Sequence, residues 1–428
     1  MIRRWLFASL IIALLGGRVS YSQEPVDAGQ FQVTQEDWPW WRGPNRDGSA
    51  DPEKMAPLSW SETENVRWRV PVPGRGHGSP TVLSDRVFLA SADEARGVQV
   101  VLCWERSTGI KQWESIIHRG GLHSEGKREP NQKASLASST IATDGVRLYV
   151  NLFNNDAVYT TALDLDGTVI WQQKICDYVV HQGYGSSPAL YQDLVIVSAD
   201  NKAGGAIAGL DAASGKPRWI RKRPEKPNYA SPAIIHLDGK DQLVFSGCDL
   251  VTSLNPVSGE EYWEIEGATT ECVATTVSDG THVFTSGGYP KNHLAAVKAD
   301  GSGEVVWERN ARIYVPSIIE CHGFLYATLD AGVASCFRCE DGEEMWKARL
   351  GGTFSSSPVL QGDRIYATNE EGSTFVFQAT PEGYKKLAEN QLGESVFATP
   401  AICGGQIFMR LAKMEGGQRR EWLYCIGE

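Results

Sequence analysis

Past its first two dozen residues the sequence has no apolar run approaching the roughly 20 residues that a membrane-spanning helix needs, which excludes a helical membrane protein for the bulk of the chain. Positive charge is also short: 41 Lys and Arg stand against 52 Asp and Glu, a formal net charge of −11. Nucleic acid is held largely by clusters of Lys and Arg on phosphate, so an acidic chain without a basic patch is not expected to bind it. The signatures of common enzymes are missing too, since there is no GxSxG nucleophile elbow, no HExxH motif and no phosphate-binding loop. Cysteine occurs nine times, an odd number that leaves at least one thiol unpaired, and no two cysteines are adjacent. Cys336 and Cys339 have CxxC spacing, but strand alternation sends their sulfurs to opposite faces, so no metal or redox site is expected there. Cys403 and Cys425 read as small buried apolar residues.

What is present is ordinary globular material, 42% apolar and 22% charged, in 428 residues, a length that a closed all-β fold can use as one unit. The start of the chain reads as an address. Arg3 and Arg4 form a basic region, Leu6 to Leu15 an apolar stretch, and Ser20-Tyr21-Ser22 a small-residue cleavage site before Gln23. Residues 1–22 are therefore expected to be a signal peptide that sends the protein to the periplasm or outside the cell. The first cysteine is Cys103, far from that site, so a lipid anchor is not expected.

A repeat dominates the remainder. A turn with glycine runs into tryptophan in ERSTGIKQW (to Trp113), DLDGTVIW (Trp171), AASGKPRW (Trp219), PVSGEEYW (Trp263), ADGSGEVVW (Trp307) and EDGEEMW (Trp346). A worn copy, TPEGYKKL, ends at Leu387. These copies recur roughly every 40–60 residues, the period of propeller blades. A second marker keeps phase with the first: a small pair, often Ser-Pro, at Ser79-Pro80, Ser139-Thr140, Ser187-Pro188, Ser231-Pro232, Thr275-Thr276, Pro316-Ser317, Ser357-Pro358 and Thr399-Pro400. Eight units of four short strands predict an all-β, eight-bladed β-propeller. Proline suits the first residue of an inner strand because no ladder donor is needed there. Glycine permits the turn, and tryptophan covers the face between blades.

The eighth unit ends without its Trp strand, whereas NVRWRV at 65–70 is a Trp strand without a blade. Trp68 is expected to complete the last blade, closing the ring and removing its exposed edges. The organisation is then a signal peptide (1–22), an N-terminal extension (23–64) and the propeller (65–428). Within the extension, WPWWRGP at 38–44 is expected to lie across one face as a strap, the other reading being a carbohydrate- or partner-binding strip.

The Gly-x-x-x-Trp turns and Ser-Pro strand starts resemble the pyrroloquinoline-quinone-like propeller repeats, as in the propeller lipoprotein of the Bam outer-membrane assembly complex. WPWWRGPNRDG at 38–48, YGSSPALYQDLVIV at 184–197 and YASPA at 229–233 are similar to secreted propellers abundant in planctomycete bacteria. The resemblance implies the fold and leaves activity open, because one fold serves many functions. The quinoprotein dehydrogenases that share the repeat hold quinone and calcium with Glu, Asn and Asp and usually set a Cys-Cys pair against the cofactor. This sequence has neither that pair nor a legible calcium constellation.

Propellers bind at the mouth of the channel, on loops that a rigid ring positions. Two or three residues before each small pair, the mouth positions hold His77, Leu136, Tyr184, Tyr229, Cys272, Tyr314, Phe354 and Phe397. The aromatic members either grip a partner or cap the core. The insertion at 115–135 carries His118, His123, Glu125 and Glu129, which read as a solvated surface rather than catalytic or metal groups. His181 is a candidate to join them across the rim. The expectation is a monomeric, non-catalytic binding propeller for a protein or glycan, with no metal and no cofactor. A quinoprotein-like dehydrogenase using pyrroloquinoline quinone and calcium is the alternative, and a polysaccharide hydrolase or lyase a third.

Overall fold

Every copy of the repeat folds into one antiparallel sheet of four strands, and eight such sheets stand in a ring. The computed structural model describes residues 31–124, 131 and 133–428, so the signal peptide reading, Glu125 and Glu129 lie outside the described residues. Blade 1 is built from Thr81–Leu83, Arg86–Asp93, Val98–Glu105 and Lys111–Arg119. Blades 2 to 7 span 142–177, 189–222, 233–266, 277–309, 319–349 and 359–391. Blade 8 takes three strands from the C-terminus, Ala401–Cys403, Gln406–Glu415 and Gln418–Ile426, and its fourth, Val66–Val72, from the N-terminal side. Trp68 pairs with Cys425 in that last sheet, as the unpaired Trp strand of the sequence required. No helix occurs among the described residues.

The glycine–tryptophan repeat is explained by contact between blades. A β-bulge falls just before the tryptophan of the fourth strand, as at Trp113, Trp171 and Trp219, and re-aims the ring. The indole then lies on the turn glycine of the next blade: Trp68 on Gly109, Trp113 on Gly167, Trp171 on Gly215, Trp219 on Gly259 and Trp307 on Gly342. Its Nε1 donates to a carbonyl of that same turn region, Trp68 to Arg106 (2.9 Å), Trp171 to Ala212 (3.1 Å) and Trp346 to Thr380 (2.7 Å) among others. Trp263 departs from this, donating to Gln242 Oε1 of its own blade at 3.1 Å. The worn seventh copy also departs, because Leu387 is exposed and Tyr384 packs on Trp346 instead.

At the axis the small marker residues form a second set of bonds. The backbone N–H of one blade donates to the hydroxyl of the next: Ser79 to Thr140 (3.0 Å), Thr140 to Ser187 and Ser187 to Ser231 (2.9 Å each). The relay continues from Thr275 to Ser317, Ser317 to Ser357 and Ser357 to Thr399, each at 2.9 Å. Where blade 8 meets blade 1, the buried Arg410 bonds Glu421 of its own blade and reaches Ala90 O (2.7 Å) and Ser91 Oγ (3.0 Å) across the seam. Arg106 returns from blade 1 to Gln406 and Cys403 O. Closure thus rests on charge-assisted bonds, which are stronger than neutral ones.

The segment from Trp38 to Ala50 runs as a strap across the end of the ring opposite the mouth. It bonds Val82 of blade 1, Thr143 of blade 2, Leu190 of blade 3, Thr275 of blade 5, Ile318 of blade 6 and Leu360 of blade 7. Ser49–Ala50 adds a short parallel strand inside blade 7. Trp38 and Trp40 are buried in the core, and Arg46 stacks on Trp40 at 4.2 Å. Beside the strap, burial, followed by the carboxylates Asp279 and Asp47, pushes the Glu320 carboxyl up to about 7.

Three substitutions have expected outcomes. Gly215 has φ +73, and a Cβ there would sit 2.5 Å from the Trp171 ring, so Gly215→Ala should cost about 2–4 kcal/mol in urea unfolding. Gly239, with φ +69 and open space around it, should lose only about 1 kcal/mol on the same change, its backbone strain alone. Glu320 has a raised folded pKa, so its protonated form favours the native state and stability falls as pH rises from the unfolded value toward 7. Glu320→Gln should flatten that slope and stabilise the protein at pH 8 by about 1–2 kcal/mol, measured as unfolding free energy against pH.

Candidate functional site

The segments that lead into the inner strands gather at the end of the axis away from the strap, and they enclose a cavity of about 470 Å³. His77, Tyr184, Tyr229, Tyr314, Phe354 and Phe397 all line it, contributed by six different blades. Phe354 is only 1% exposed and belongs to the core behind the wall, whereas the other five are half-buried. Two further mouth positions stay out of the cavity: Leu136 packs on the core between blades 1 and 2, and Cys272 is fully buried. Trp41 of the strap forms the floor, its Nε1 donating to Thr275 Oγ1 at 2.8 Å. The lower wall is the axial hydroxyl relay, including Thr140, Ser187, Ser231, Ser357 and Thr399.

The rings are held in place by their neighbours. His77 stacks on Phe397, centroids 4.5 Å apart and 17° from parallel. Burial first, then Arg75, Arg410 and Arg419, holds its imidazole well below the usual histidine range, so it is neutral at physiological pH. Tyr184 donates to Ser198 O at 2.9 Å. Tyr314 donates to Glu271 Oε2 at 3.1 Å, and Glu271 Oε1 lies 3.1 Å from His181 Nε2. Glu271 is itself 3% exposed, a buried carboxylate that fixes the tyrosine from behind. Burial, with Glu271 next, raises the Tyr314 phenol above its ordinary value. The Tyr229 hydroxyl is buried without a partner at hydrogen-bonding geometry, and so is His77 Nε2.

Charges at the mouth are engaged with one another. Lys133 reaches Glu370 at 2.7 Å, and Ser355 donates to the same carboxylate at 2.6 Å. Arg312 bonds Asp330 at 3.3 Å, and Asp330 also accepts the backbone N–H groups of Tyr314 and Val315. The Lys133–Glu370 pair joins residues 237 positions apart and carries no mark in the sequence.

Among the described residues of the insertion, His118 and His123 do not assemble into a site with His181. His118 lies in the fourth strand of blade 1, bonded to Gln99 (2.9 Å) and Gln172 (3.1 Å), and burial pushes its imidazole down to about 4. His123 pairs with Glu94 at 3.1 Å, and His181 turns instead to Glu271. Cys336 and Cys339 enter different core clusters on the two faces of blade 6. Burial raises the pKa of both thiols, which disfavours the reactive thiolate. Among the described residues, no three His, Cys, Asp or Glu side chains are grouped to hold a metal ion, and no helix is long and apolar enough to cross a membrane.

Comparison with known proteins places this architecture. Residues 97–348 and 291–415 match the family model of outer membrane protein assembly factor BamB. Among solved structures, BamB from Moraxella catarrhalis superposes with a TM-score of 0.59 at 14% identity, covering 84% of this chain and 96% of that one. A europium-containing methanol dehydrogenase gives 0.67 at 9% identity over 92% and 98% of the two chains. A quinohemoprotein alcohol dehydrogenase from Comamonas testosteroni gives 0.62 at 12% identity over 94% and 81%. At such identities these likenesses show the fold alone, and no curated protein matches by sequence. The chain belongs to the family of outer membrane protein assembly factor BamB, the pyrroloquinoline-quinone-like propellers.

Proposed function

We propose that this protein is an exported, non-catalytic binding propeller that engages a protein or glycan partner at its open mouth. One observation carries the reading: His77, Tyr184, Tyr229, Tyr314 and Phe397 converge from five blades on one cavity that the strap closes from below. Aromatic rings around a receptacle with a fixed floor supply contact area at little entropic cost. The carboxylates of the wall are occupied in ion pairs or in holding Tyr314, which suits a rigid receptacle better than acid–base chemistry.

The dehydrogenases of similar fold raise the question of quinone and calcium, and the residues present do not fit that pair. Glu271, Asp330 and Glu370 come from separate segments, and each is bonded to a residue of its own wall. A calcium ion needs six to eight oxygens converging at one point, and a quinone that bears carboxylates would meet cations already committed to Glu370 and Asp330.

Binding at the mouth is tested by a photo-crosslinking side chain placed at Arg312 on the rim and, as a control, at Val305, exposed on an outer strand. Crosslinks to cell-envelope material at 312 and not at 305 are expected; equal or reversed yields would overturn the reading. The melting temperature should stay unchanged when pyrroloquinoline quinone and calcium are added, whereas a saturable rise would establish the dehydrogenase reading in its place.

A further inference from the structure

We infer that the mouth cavity is a site for uncharged sugar rings, taken either from a free oligosaccharide or from the end of a larger glycan. The inference rests on the mouth being the binding face and names the chemistry it recognises.

Charge is the first argument. The cations at the rim, Lys133 and Arg312, are paired with Glu370 and Asp330, while His77 is neutral. An anionic ligand would meet two carboxylates and no uncommitted cation in this set, and a cationic one would have to displace Lys133 or Arg312. Either change would give up the ion pairs that hold Glu370 and Asp330, the less exposed members of these pairs. An uncharged ligand avoids that cost.

Hydrogen bonding is the second. Thr140, Ser187, Ser231, Ser357 and Thr399 each use the hydroxyl oxygen to accept a backbone N–H from the preceding blade. A hydroxyl that accepts in this way still has its own proton to give. The cavity is therefore lined around the axis by neutral hydroxyls, each with a proton still to give. A peptide would need main-chain pairing along a strand edge, and here the N–H groups of the axial edge are already spent on the next blade's hydroxyls. Sugar hydroxyls, which both donate and accept, match isolated O–H groups better.

Shape is the third. Phe397, Tyr229 and Tyr314 line the cavity, one face of Phe397 being covered by His77, with Trp41 as its floor. The C–H face of a pyranose ring is weakly positive and apolar, and it packs on the negative face of an aromatic ring. A volume of about 470 Å³ accommodates two or three such rings.

The experiment is calorimetric titration of the full mature chain with maltotriose, cellotriose and chitotriose, beside trigalacturonate and a mixed heptapeptide pool as charged and peptide comparators. At least one neutral trisaccharide should bind, and trigalacturonate should not. Tyr229→Leu removes one aromatic ring from the wall and should weaken that binding about tenfold without abolishing folding, checked by the melting temperature. Phe397→Ala should abolish it. Binding of only the acidic sugar or only peptide, or no binding by any neutral sugar, overturns the inference, as does neutral-sugar binding that Tyr229→Leu leaves intact. If crosslinks at 312 persist while every neutral sugar fails, the mouth stands as the binding face and its sugar chemistry falls.

Discussion

The bond on which this molecule depends is the short step from a backbone N–H of one blade to a serine or threonine hydroxyl of the next. A propeller must bring eight inner strands to one axis, where their inward-facing edges have no further strand to pair with. Leaving those amides bare and buried would cost more than a hydrogen bond is worth. The marker residues resolve this by lending a side-chain acceptor to the neighbouring blade, from Ser79 to Ser231 and again from Thr275 to Thr399. Between these arcs, Thr275 Oγ1 accepts the Trp41 indole, so the strap joins the axis at a break in the relay. At the other break Arg410 bridges the seam.

The mouth inherits its geometry from that relay. Its aromatic residues lie two or three positions before the axial hydroxyls, so five of the eight blades, carrying His77, Tyr184, Tyr229, Tyr314 and Phe397, deliver a ring to the rim. The ion pairs above them, Lys133 with Glu370 and Arg312 with Asp330, tie the loops of the rim. The result is a cup with neutral polar walls, aromatic sides and an indole floor, mounted on a ring that has no reason to deform.

The fold was legible because its two periodic constraints fall on recurring short motifs. Tryptophan and glycine mark the contact between blades, and Ser-Pro marks the axis, so blade number and the role of Trp68 could be read by counting. The partner of each tryptophan could not, since the glycine it covers lies one whole blade further on: Trp171 rests on Gly215 and has Gly167 in its own turn. The ring of mouth residues was legible by its offset from the same marker, although the sequence does not distinguish Phe354, sunk in the core, from Phe397, which faces the cavity. The pairing of His181 with Glu271, and of Lys133 with Glu370, was invisible. These contacts join loops of unrelated sequence that only the closed ring brings together, and no local spacing encodes them.

The claim that the axial relay holds the ring as one unit is tested most directly by hydrogen exchange of the protein, followed by mass spectrometry. Amides of Thr140, Ser187, Ser317 and Ser357 should exchange slowest of all and together, only through global unfolding, while the outer fourth strands open locally and sooner. Axial amides that exchange at separate rates, blade by blade, or faster than those of the outer strands, would contradict the account.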